Sequence, residues 1–153
     1  MTPESHNLER FLEAQDGVYA QVCAELRAGR KESHWMWFIF PQIKGLGSSP
    51  IAQKYAIQGL DEARAYLAHP ILGLRLRQCT ELVNAVLGRP IGDIFGFPDN
   101  LKFHSSMTLF AHVSGDAPLF AAALSRYFNG ERDRGTLSHL RAPNRAAAGE
   151  KPV

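Results

Sequence analysis

The chain of 153 residues lacks most of what marks a specialised class of protein. It has two cysteines, Cys23 and Cys79, far apart among apolar neighbours and without C-x-x-C or zinc-ligand spacing. That excludes a disulfide framework and fits buried, reduced thiols of an intracellular protein. No apolar run is longer than Trp35 to Phe40, which stops at Pro41, far below the roughly 20 residues that a membrane-spanning helix needs. No membrane span is therefore expected. The first residues, Met-Thr-Pro-Glu-Ser-His-Asn, carry acid and no apolar stretch, so no secretory leader is expected and the cytoplasm is the expected location.

Chemical motifs are equally sparse. There is no G-x-S-x-G or S-x-x-K, neither cysteine has a histidine near it in sequence, and no histidine pair has H-x-x-x-H spacing. His104 and His112 share one expected helix, but at 1.5 Å rise per residue they stand about 12 Å apart, too far to hold one ion. Neither a metal nor a cofactor is expected. Charge of one sign is also scarce, at net +2. Residues 1–130 carry 12 Lys/Arg and 12 Asp/Glu, whereas residues 131–153 carry 5 and 3, so the whole excess lies in the last segment. The body is neutral, and nucleic acid is not the expected partner.

What is present is core material: 45% of the residues are hydrophobic and 10% aromatic. At this length one fold buries roughly two-thirds of the surface its unfolded chain exposes. Residues 1–140 read as a single helical domain, and 141–153, poor in apolar anchors, as a mobile basic tail. Leu8, Phe11 and Leu12 fall at helical spacing, as do Val18, Tyr19, Val22, Cys23 and Leu26, with Asp16-Gly17 between the two helices and Gly29 ending the second. The segment 33–42 predicts a short helix capped by Ser33 and stopped before Pro41, rather than a strand, because no partner strand is in sight. Ser49-Pro50 starts a helix, Gly59 divides it from residues 60–68, and His69-Pro70 opens a longer one that Gly88 and Pro90 close. After a turn at 91–95, Asp99 is placed to cap a helix to about Val113, and Asp116 with Pro118 starts the last long helix, ended by Gly130. The expected fold is mainly α: a compact, single-domain, multi-helix structure of about six to eight helices.

Three segments offer binding chemistry. His34, Trp35 and Trp37 bring polar N–H groups among aromatics, and Gln42 follows at once, a combination that lines small-molecule pockets. Lys44, Gly45, Gly47 and Ser48 form a glycine loop ahead of a helix start, where backbone amides and a lysine can meet an anion. The loop does not match G-x-x-x-x-G-K-[ST], and Pro50 stands where the third glycine of G-x-G-x-x-G would be; a turn with an N-cap is the plainer explanation. Lys102, Ser105 and Ser106 cluster on one helix, either to bond a ligand or as small residues allowing close helix packing.

These motifs carry a resemblance. Glu25-Leu-Arg-Ala-Gly-Arg-Lys31, Ser33-His-Trp-Met-Trp-Phe-Ile-Phe-Pro-Gln42, Gly45-Leu-Gly47, Ala65-Tyr-Leu-Ala-His-Pro70, Ile94-Phe-Gly96, Pro98-Asp99 and Ser105-Ser-Met-Thr-Leu-Phe110 closely resemble the bacterial family called domain of unknown function 1810, over about residues 8–140. The resemblance implies a mainly helical single domain and transfers no catalytic residue. Members of that family sometimes carry the label calpastatin, a calpain inhibitor. Such inhibitors are long disordered repeats with a T-I-P-P-x-Y-R-like element, which this compact, aromatic-rich chain lacks, so calpain inhibition is not expected.

The resulting expectation is a domain binding a small anionic, nucleotide-like ligand in one pocket built from all three segments. Trp35 or Trp37 would stack on a planar group, Lys44 and Lys102 would offset charge, and His34 is the candidate for proton transfer. The rival expectation is a protein-interaction or regulatory module without an enclosed pocket.

Overall fold

The computed structural model describes residues 6–140. Its first two helices, α1 (Glu9–Asp16) and α2 (Tyr19–Ala28), break at Gly17 as the spacing predicts, and Gly29 ends α2 in the left-handed conformation, φ +78°. Next come α3 (Met36–Ile39), α4 (Pro50–Lys54), α5 (Leu60–Ala68) and α6 (Leu72–Asn84). The chain continues through α7 (Ile91–Phe95), α8 (Asp99–Val113), α9 (Pro118–Phe128) and a final helix, α10, over 134–140. The fold is mainly helical, but the ten helices among the described residues exceed the six to eight expected, because the turn at 91–95 and the segment after Gly130 both coil into helices. The expected mobile tail at 141–153 lies outside the described residues. Among the described residues no helix is long and apolar enough to cross a membrane.

The centre is α8, buried on nearly every side from Phe103 to Ala111 and packed against α3, α5, α7 and α9. Its buried residues include Ser105, Ser106 and Thr108 as well as the apolar ones, so polar and apolar sides alike are covered by neighbouring helices. Around it Trp35, Phe40, Phe95 and Phe103 form a chain of rings, with Phe40 edge-on to Phe103 at 5.0 Å. Residues 42–44 and 57 run side by side: Ile57 N–H donates to Gln42 O and Lys44 N–H to Ile57 O, both at 2.8 Å. This bridge fixes where the glycine loop leaves the core.

Several helix ends differ from expectation for identifiable reasons. Ser49 does cap α4, accepting from Ala52 N–H at 3.2 Å, and His69 Nδ1 accepts from Ile71 N–H and Leu72 N–H at the start of α6. Ser33, however, is not the cap of α3; its hydroxyl is drawn to Glu25 instead. Asp99 does not cap α8, since two lysines hold its carboxylate. Asp116 does not cap α9, whose N-cap position is Ala117 with no side chain capping it; Ser114 Oγ accepts from Ala117 N–H at 3.1 Å just ahead of the helix. Helix α6 stops at Asn84, short of Gly88, where α9 supplies other donors: Tyr127 Oη to Val83 O at 2.6 Å and Arg126 to Val86 O at 2.9 Å. With those carbonyls satisfied from outside, the last turn need not form.

Candidate functional site

The three expected segments do not converge on one pocket among the described residues. Around α3 the organising group is Glu25, which the sequence reading missed. Its carboxylate accepts from the backbone N–H groups of Glu32 and Ser33, from the Ser33 hydroxyl, from Gln21 and from the Trp35 indole at 2.8 Å. Burial alone would raise the Glu25 pKa, but these donors, led by the Ser33 hydroxyl, outweigh it and hold the carboxyl down at about 2. Trp35 is 2% exposed and its N–H is committed to Glu25, so the residue expected to stack on a ligand sits in the core.

Beside it, Asp99 bridges Lys31 at 2.9 Å and Lys102 at 3.0 Å. The Lys102 ammonium lies over the ring of the half-buried Trp37, 5.5 Å from its centroid. Lys102 is thus engaged on both sides. Trp37, Gln42 and Gly47 border a crevice of about 10 Å³, room for no more than a single water. His34 is exposed.

The serines of α8 are structural. Ser105 Oγ lies 3.1 Å from both Leu101 O and Asp133 Oδ2, and Asp133 in turn accepts from Thr136 N–H and its hydroxyl at the start of α10. Ser106 is fully buried with no hydrogen-bond partner among the described residues, consistent with a small side chain that lets helices approach.

Lys44 and Gly45 reach a different place, an open cleft of about 1020 Å³ between the glycine loop, the start of α5 and α10. Gly45 has φ +104°, and a Cβ there would stand 2.5 Å from the His139 ring, so only glycine allows α10 to close on the loop. Ser48 is exposed outside this cleft, and its carbonyl accepts from Gln53 at 2.6 Å. Gln58, Asp61 and Arg64 supply the opposite wall with Glu62. Glu62 is offset by Arg10 at 2.9 Å and Asp61 by Arg64 at 3.3 Å, whereas Lys44 has no ion-pair partner among the described residues. His139 Nδ1 is 2.9 Å from Gly135 O; a carbonyl only accepts, so Nδ1 donates there and, in the neutral ring, Nε2 holds the lone pair.

Two sequence signals could have led to this wall. Gly59 followed by Asp61-Glu62 marks a helix start, and Asp133 followed by Thr136 is the capping pattern that announces α10. His139 lies on α10, a helix that the sequence expectation does not include.

Among the described residues no three His, Cys, Asp or Glu side chains are grouped to hold a metal. Cys23 and Cys79 are free and buried, and burial pushes the Cys79 thiol up to about 12.

Fold and cleft together define a small, mainly helical domain with an open cleft between the glycine loop, α5 and α10. The family described as "Protein of unknown function (DUF1810)" matches residues 5–140, and the chain belongs to it. Among solved structures it is similar to the conserved hypothetical protein Rv1873 from Mycobacterium tuberculosis, with 54% identity and a TM-score of 0.89, covering 90% of this chain and 99% of that one. No curated protein matches the sequence.

Proposed function

We propose that the domain binds a small anionic ligand in the cleft between the glycine loop and α5, with Lys44 as its main charge partner. The observation that carries this reading is the cleft itself. In a neutral body, an opening of about 1020 Å³ has a lysine on its rim that no carboxylate among the described residues neutralises. Arg64 stands on the same wall, and α5 begins there at Gly59 with no side chain capping it. The Trp/His segment is not part of this reading, because Trp35 is spent on Glu25 and Lys102 on Asp99.

The test is thermal unfolding in the presence of inorganic phosphate and phosphorylated metabolites. A ligand at 100 times its dissociation constant adds about 2.7 kcal/mol, a rise of roughly 5–10 °C for a domain of this size. Lys44→Ala is expected to weaken binding about tenfold or more. An unchanged melting temperature across the panel, or an equal shift in the variant, would remove the reading. Protein docking is the second reading, favoured by Phe97 and Leu101, 81% and 50% exposed at the start of α8.

A further inference from the structure

We propose that the anion taken by this cleft is a phosphorylated sugar or polyol rather than a nucleotide, with Asp61, Gln58 and His139 meeting its hydroxyl groups. This rests on the reading above and names the ligand class. The reason lies in the acceptors that surround the cations. Asp61 gives Arg64 only its Oδ1, at 3.3 Å, and its side chain is 90% exposed, so Oδ2 is open to a donor. Gln58 Nε2 donates to Ala56 O at 3.1 Å, which directs the amide's remaining acceptor, Oε1, away from that bond. His139 adds the Nε2 lone pair, its tautomer set by Gly135 O. A fully ionised phosphate has no proton to offer these three acceptors and is repelled by the carboxylate among them. A ligand that carries hydroxyls beside its phosphate satisfies both halves of the lining: phosphate to Lys44 and Arg64, O–H donors to Asp61, Gln58 and His139.

A nucleotide also carries hydroxyls, but its base gains most from a large aromatic ring to lie on. Among the described residues the cleft lining contains no Trp, Tyr or Phe; its planar groups are His6, His139, whose ring is packed against Gly45, and Arg64, which faces Asp61. Trp35 is sealed in the core, and Trp37 lies on a separate crevice with an ammonium over its ring. The cleft volume of about 1020 Å³ is ample for a pentose or hexose phosphate and far exceeds one phosphate ion.

Calorimetric titration of the full chain with inorganic phosphate, glycerol 3-phosphate, ribose 5-phosphate, glucose 6-phosphate and AMP tests this. At least one sugar or polyol phosphate is expected to bind about tenfold or more tightly than both phosphate and AMP. In Asp61→Asn, checked for an unchanged circular dichroism spectrum, that preference over phosphate should fall about tenfold, while phosphate itself binds as well or better. Phosphate binding without any preference for the hydroxylated esters, AMP as the tightest ligand, or a preference untouched in Asp61→Asn would each overturn the inference while the anion reading stands. Absence of binding by every phosphate compound would overturn both.

Discussion

Arg10→Ala is expected to cost about 3–5 kcal/mol of stability and to lower the melting temperature by roughly 10 °C or more. Arg10 ties together three pieces of chain that meet behind the cleft. Its guanidinium donates to His6 O and Asn7 O at 2.8 Å, to Lys54 O at 2.7 Å, to Ala56 O at 2.8 Å and to the Glu62 carboxylate at 2.9 Å. Glu62 is only 2% exposed, so alanine at position 10 leaves a buried carboxylate uncompensated, and that penalty exceeds the value of the lost bonds. Urea unfolding of the single variant against Arg10→Met/Glu62→Gln separates the contributions. The double variant should recover at least about 1 kcal/mol, because it removes the stranded charge and keeps an acceptor for Gln58 N–H. A loss below about 1 kcal/mol in Arg10→Ala would contradict the burial of the pair.

The second large effect belongs to Glu25. With the carboxyl held at about 2, its ionised form stabilises the fold above the ordinary glutamate value, and this contribution disappears as pH falls through about 2. Glu25→Gln should therefore lose about 2–3 kcal/mol at pH 7, since a glutamine turns two N–H protons towards a ring of donors. The gap between wild type and variant should narrow from pH 4.5 towards pH 2, measured by denaturant unfolding at each pH. A gap that does not change over that interval would show that the carboxylate's charge is irrelevant to the 31–35 turn.

These two networks explain how far the sequence could be read. The helices were legible wherever an apolar stripe met a glycine or proline: Gly17, Gly29, Pro50 and Gly59 bound α1, α2, α4 and α5. Ends decided by distant partners were not. Asp99 looks like a cap until Lys31, far away in sequence, takes its carboxylate, and α6 ends where Tyr127 of α9 reaches Val83. The candidate site was legible in one part. Lys44 and Gly45 do line the cleft, but the rest of the lining includes Gln58, Asp61 and Arg64 across from the loop and His139 against Gly45, marked in sequence only by the helix starts at Gly59 and Asp133. Conversely, the Trp35 segment stands out in composition because it must fill the core and engage Glu25. Local unusualness reported packing there, whereas the cleft arises from tertiary proximity alone.

The contact of Gly45 with His139 has a consequence for how the molecule comes into being. It joins residues separated by well over half of the chain, whereas most helical contacts are local and form early. A nascent chain can therefore assemble α1 to α9 while one wall of the cleft is still being synthesised. The lining of the cleft is complete only once α10 has been made and its His139 has met the glycine loop.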